Sequence, residues 1–135
     1  MSDFPVTVFH NPDCGTSRNV LAAIKAQGHA PEVILYREVG WTEARLRGLI
    51  ARMGGTARDL LREKGTPAES LGLLDPTVPD DALIAAMVAH PVLVNRPLVE
   101  TPLGVVLARP SERVFEVLDR KPDQFTKEDG QVVVL

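Results

Sequence analysis

Apolar and polar positions alternate in blocks along the chain, and the period of each block predicts an element. Val6 and Val8, with Phe9 beside them, predict a strand over residues 5–10. Asn11, Pro12, Asp13 and Gly15 break it. Val20, Ala23, Ile24 and Gln27 then recur at helical spacing, which predicts a helix from Thr16 or Ser17 to a stop at Gly28. The run EVILY, residues 32–36, reads as a second strand. Strand, helix and strand in succession predict a parallel pair joined by a right-handed crossover.

The middle of the chain has a helical period. Thr42 is placed to cap a helix with Leu46, Leu49, Ile50 and Met53 on one stripe. Residues 58–64 and 68–74 predict short helices. Asp80 or Asp81 opens another, with Leu83, Ile84, Met87 and Val88 inward. Residues 98–100 and 105–107 read as two strands joined by a turn at 101–104. Pro110 and Ser111 begin a last helix carrying Val114, Val117 and Leu118. The tail is polar until QVVVL, which reads either as a short edge strand or as a disordered end. This order predicts an α/β fold: a thioredoxin-like mixed sheet with a helical insertion between the second and third strands. At 135 residues, the whole of 1–135 is expected to form a single domain.

Composition narrows the function. A net charge of −3, with no basic run, argues against a nucleic-acid surface. No apolar run approaches the roughly 18 residues that span a bilayer, and the first residues lack the features of a secretory signal, so no membrane partner and a cytoplasmic location are expected. The single cysteine cannot form an internal disulfide. No cluster of His, Cys or carboxylates has metal-ligand spacing, so no metal and no bound cofactor are expected.

That cysteine, Cys14, stands in the string HNPDCGTSRN, between a strand end and a helix start. Free backbone N–H groups and the positive end of the helix dipole favour a thiolate at such a place. Gly15 lets the backbone approach a ligand closely. Thr16 and Ser17 offer hydroxyls, and Arg18 or His10 offers positive charge. The plainer reading makes Cys14 a small buried hydrophobe, but the turn residues before it argue against burial. His29 and His90, at helix ends, are expected to be structural or exposed. Asp80-Asp81 read as caps, and Lys127-Glu128-Asp129 as solvated charge.

HNPDCGTSRN resembles the active-site start of the glutaredoxin-coupled, glutathione-dependent arsenate reductases. Further segments are similar in the same order: ARDLLREK around Arg62, VLVNRPLV around Arg96, TPLGVVLARPSE around Arg109, and FTKEDG near the C-terminus. The resemblance implies Cys14 as the catalytic nucleophile and Arg62, Arg96 and Arg109 as an oxyanion clamp. It implies His10, Asn11 and Ser17 as tuners of the thiol, and Pro97 as the family's cis-proline. The implied substrate is arsenate, with glutathione as co-substrate and glutaredoxin as protein partner. A planar guanidinium matches two oxygens of a tetrahedral oxyanion, which fits that assignment chemically. Arg58, four residues from Arg62, is a rival on the same helix face that only the resemblance sets aside. Glu100 adds a carboxylate that would oppose an anion if it faced inward.

Other readings remain at this level. One is a reductase-like relative acting on another substrate. A second is a non-enzymatic Spx-like regulator that binds RNA polymerase; its redox switch uses Cys-x-x-Cys, whereas Ser17 stands at the second position here. A third is a low-molecular-weight phosphatase-like enzyme, whose Cys-x5-Arg loop is not matched by Cys14 followed by Asn19 and Val20. Without a second cysteine, turnover of a thiol reductase here requires an external thiol.

Overall fold

The computed structural model describes residues 4–135. The chain divides into two compact units: the part up to Leu35 together with Arg96–Leu135, and the segment Tyr36–Asn95 between them.

The first unit holds a four-stranded mixed sheet. Strands β1 (Thr7–Phe9) and β2 (Glu32–Ile34) flank helix α1 (Gly15–Ala26) in sequence and pair in parallel, with Val8 opposite Val33. Strands β3 (Leu98–Thr101) and β4 (Gly104–Leu107) form an antiparallel hairpin, and the spatial order is β2-β1-β3-β4. This is the mixed sheet expected of a thioredoxin-like chain. The inserted segment between β2 and β3 is helical, also as expected.

The core of this unit explains why α1 forms where it does. Val20, Ala23 and Ile24 are buried in one cluster with Val8, Val99 and Val106 of the sheet and Val6 just before β1. Val114, Val117, Leu118 and Phe125 complete the same cluster. Burying each valine, leucine, isoleucine or phenylalanine side chain of this cluster contributes roughly 1.5–3 kcal/mol.

The expected last helix is a 3-10 helix, Ser111–Val117. Its buried residues, Ser111, Val114 and Val117, are spaced by three, which matches three residues per turn rather than 3.6. The second strand is shorter than expected because Tyr36 leaves the sheet. Tyr36 is fully buried and its ring stands 5.3 Å from that of Trp41. The C-terminal end is a strand. Residues Val132–Val134 pair antiparallel with Gln124–Thr126, an element the pattern did not reveal because only Phe125 of its three residues is buried.

The second unit contains α2 (Tyr36–Val39), α3 (Glu43–Met53), α4 (Ala57–Leu60) and α5 (Asp80–Ala89). Thr42 caps α3 as expected, its Oγ1 accepting from the Arg45 N–H at 3.1 Å. Thr56 and Asp59 form a capping box on α4. The helix expected over 58–64 stops at Leu60 because Leu61 bridges to Val94. Around that bridge the Arg62 N–H donates to the Leu93 carbonyl and the Asn95 N–H to the Leu60 carbonyl. The helix expected over 68–74 is absent. That stretch is a series of turns, with Gly72 at φ 73°, a conformation glycine adopts without strain. In α5, Leu83, Ile84 and Met87 face inward as expected, but Val88 is 38 % exposed because it lies one position past the buried stripe. No described helix is long and apolar enough to cross a membrane.

Candidate active site

Cys14 is the N-cap residue of α1, in extended conformation at φ −103° and ψ 121°. The loop before it is held by its own polar groups. Asn11 is 1 % exposed; its Oδ1 accepts from the Asp13 N–H at 3.0 Å, and its carbonyl from the Cys14 N–H at 3.1 Å. Such local bonds replace a strand ladder by a turn. They deliver the sulfur to the end of the helix, where the first N–H groups have no intrahelical partner.

The sheet delivers the arginines. In the β3–β4 hairpin Leu98 pairs with Leu107, and the ladder continues with the Ala108 N–H donating to the Pro97 carbonyl at 3.0 Å. The same register carried one step further sets Arg96 beside Arg109. Because Phe9 pairs with Leu98, the end of β1 and the open end of the hairpin lie at the same end of the sheet. The Arg109 Nη1 donates to the Arg96 carbonyl at 3.0 Å and reaches the Cys14 sulfur at 3.7 Å. The peptide bonds Arg96-Pro97 and Arg109-Pro110 are both cis.

These groups set the ionisation of the thiol. Burial pushes the Cys14 pKa up, but it is outweighed. The Ser17 N–H, the Arg96 and Arg109 guanidinium groups and the Thr16 N–H all bond the sulfur and bring the pKa from 9.0 down to about 6. At neutral pH the sulfur is a half-exposed thiolate flanked by two cations. Such a site attracts an oxyanion and holds a nucleophile ready.

Other expected contributors behave differently. Ser17 is fully buried, and its hydroxyl accepts from the Asn11 N–H at 3.4 Å. The backbone N–H groups of Thr16 and Ser17 reach the sulfur. His10 is buried, and burial first, then the charges of Arg18 and Lys25, lower its pKa, so it is neutral at pH 7 and adds no positive charge. Arg18 is paired with Glu128 at 2.8 Å. The close approach that Gly15 permits is taken by the chain's own Glu128: a Cβ at Gly15 would stand 3.0 Å from Glu128 Oε1. His29 is buried with its Nε2 2.9 Å from Asp119 Oδ1, and His90 is exposed.

The second unit carries Arg62 just past α4. Its Nη1 donates to Asn95 Oδ1 at 3.1 Å and its Nε to the Lys64 carbonyl at 3.1 Å. The rival Arg58 is committed to structure, donating to the carbonyls of Leu73, Asp75 and Val78. Glu100 sits mid-way along β3, opposite Thr7 and Val105. It alternates with Val99 and Thr101, and Val99 belongs to the core cluster, so the Glu100 carboxylate points to the other face of the sheet. Among the described residues no group of three His, Cys, Asp or Glu could hold a metal ion.

The chain is similar to known proteins over almost its whole length. A protein of Synechocystis named arsenate reductase ArsI1 is 50% identical over 135 residues, covering 99% of this chain and 94% of that protein. An arsenate reductase of Escherichia coli is 51% identical over 130 residues, covering 96% of this chain and 92% of its own. The solved structure of an arsenate reductase from Vibrio cholerae superposes with a TM-score of 0.82 at 38% identity, over 87% of this chain and 100% of that one. The model of the ArsC family matches residues 9–117, a span that contains Cys14 and all three candidate arginines, and the chain belongs to that family.

Proposed function

We propose that this chain is an enzyme that reduces arsenate to arsenite, with Cys14 as its nucleophile and glutathione and glutaredoxin as its source of electrons. The observation that carries the reading is the half-exposed Cys14 thiolate, with a pKa of about 6, beside the Arg96 and Arg109 guanidinium groups. Relatives near 50% identity over almost the whole chain are named arsenate reductases, and this supports both the substrate and a single working domain over 1–135.

The chemistry follows from the site. Arsenate is a tetrahedral oxyanion, and the guanidinium groups bind its oxygens and stabilise charge as the thiolate attacks. A sulfur–arsenic bond forms and one oxygen leaves as water after protonation. Glutathione then adds to the arsenic adduct through its thiol, releasing a second water. Reduction of As(V) to As(III) takes two electrons. A glutaredoxin thiol attacks the glutathione sulfur, those two sulfurs leave as a mixed disulfide, and the electron pair stays on arsenic. Hydrolysis frees arsenite and returns Cys14 as a thiolate. The chain has one cysteine, so the electrons come from outside it.

Arg62 is assigned to the same clamp. Its match to the family segment supports this, as does the commitment of Arg58 to three backbone carbonyls. Asn11, Ser17 and Pro97 shape the loop and strand ends that present the thiolate. His10 contributes as a neutral, buried ring. The cytoplasm, where glutathione is abundant, is the compartment this chemistry needs.

A coupled assay with purified protein, arsenate, glutathione, glutaredoxin, glutathione reductase and NADPH tests the proposal. Arsenate-dependent NADPH oxidation is expected. Absence of oxidation above background would overturn the substrate assignment.

A further inference from the structure

The two consecutive tail residues Lys127 and Glu128 reach, respectively, the segment behind Arg109 and the helix behind Cys14. Glu128 receives the Arg18 fork through both oxygens, at 2.8 Å from Nη2 and 3.1 Å from Nε. The third Arg18 donor, Nη1, bonds the Pro12 carbonyl at 2.8 Å, inside the loop that carries the thiol. The Glu128 N–H donates to Asn19 Oδ1 at 2.8 Å, so backbone as well as side chain is fastened to α1. Lys127 pairs with Glu112 at 2.9 Å, with only 12 % and 23 % of the two side chains exposed. Glu112 stands in the 3-10 helix that begins directly after Arg109-Pro110. The tail itself is anchored: Phe125 is buried in the core and meets Phe115 edge-on with ring centres 5.7 Å apart.

We propose that Lys127 and Glu128 form a positioning clasp that holds the Cys14 helix start in register with Arg109. The inference rests on reading Cys14 as the working thiol. Neither tail residue is placed to touch the substrate; they act through Arg18 and Glu112. An isolated exposed ion pair contributes little. Here two ion pairs, two backbone-linked bonds and an aromatic anchor converge on one turn, and groups so linked act as a unit. The absent side chain at Gly15 has a reason in the same device, since it leaves room for the Glu128 carboxylate over the first turn of α1.

Sign separates positioning from plain electrostatics. Removing the Glu128 or the Glu112 carboxylate takes away negative charge, which by itself favours the thiolate and lowers its pKa. Loosening the clasp instead weakens the bonds from the Ser17 and Thr16 N–H groups and from Arg109, and raises it.

The test is the alkylation rate of Cys14 by iodoacetamide in the full chain between about pH 5 and 9, which reads the thiolate directly and needs no arsenate. Failure of the clasp is thereby distinguishable from failure of the arsenate reading. Glu128→Ala, Glu128→Gln and Glu112→Gln are expected to move the midpoint up by about half a unit, slowing alkylation below the midpoint roughly threefold. Arg18→Ala combined with Glu128→Ala is expected to cost no more than Arg18→Ala alone. An unchanged or lowered midpoint in the Glu128 and Glu112 variants overturns the clasp, as does full additivity of the double variant.

Discussion

Arg109 lies 95 positions from Cys14 in the chain, yet its Nη1 stands 3.7 Å from the Cys14 sulfur. The same nitrogen is held by the Arg96 carbonyl at 3.0 Å, so the guanidinium is aimed before any anion arrives. Pre-aimed charge of this kind stabilises a transition state without reorganisation.

Arg109→Ala removes both contacts. Arsenate turnover is expected to fall about 100-fold or more, and the thiol midpoint to rise, because one of the bonds holding the pKa down is lost. Arg109→Lys restores charge but not the planar fork, so partial recovery is expected. Steady-state kinetics and the alkylation profile of the same variants check both effects.

Cys14→Ser is expected to abolish turnover and preserve the fold, since a hydroxyl is a far weaker nucleophile at neutral pH. Wild-type protein incubated with arsenate and glutathione should gain one arsenic-linked glutathione, on Cys14. Intact-mass spectrometry with peptide mapping detects it. Turnover retained in the Ser variant would refute the nucleophile. Efficient reduction by thioredoxin alone would refute the glutaredoxin coupling.

The Cys14 ionisation also links to stability. The folded pKa of about 6 lies below the ordinary 9.0, so the unfolded chain holds the proton more tightly between those values. The stabilisation is fully present above pH 9 and is lost as pH falls through 6. The stability of wild type relative to Cys14→Ser is therefore expected to rise across that window. The half-exposed sulfur is screened by solvent, so the total gain is about 1–2 kcal/mol. Urea unfolding of both proteins at several pH values measures it, and a flat difference would contradict the thiolate environment.

Arg58 and Arg62 are expected to separate stability from activity. Arg58 donates to three carbonyls in the turn region after α4, so Arg58→Ala leaves those acceptors short of partners. A loss of about 1–3 kcal/mol and a fall in Tm of several degrees are expected. Arg62→Ala is expected to leave Tm nearly unchanged while impairing the arsenate step. Thermal unfolding and kinetics of the two variants decide the assignment, and the reverse pattern would move the clamp to Arg58.

Sequence alone determined the elements whose cause is local. The period of Val20, Ala23 and Ile24 marked α1, Thr42 marked the start of α3, and the turn at 101–104 marked the β3–β4 hairpin. It also determined that Cys14 opens a helix, and with the family resemblance it named Arg96 and Arg109. Tertiary structure decided what depends on partners distant in the chain. Leu61 stops α4 because Val94 offers it a bridge, and Tyr36 leaves the sheet to bury its ring beside Trp41. His10 is neutral because the fold buries it, and Ser17 gives the sulfur its N–H while its hydroxyl accepts from the Asn11 N–H. Lys127 and Glu128 looked like solvated charge because no local pattern records a partner such as Glu112 or Arg18, the latter 110 positions away from Glu128. A helix start or a turn is set by neighbours within a few residues, so its signal is written in order along the chain. The thiol's low pKa and the clasp are sums over charges and N–H groups that only the packed sheet brings within a few ångströms.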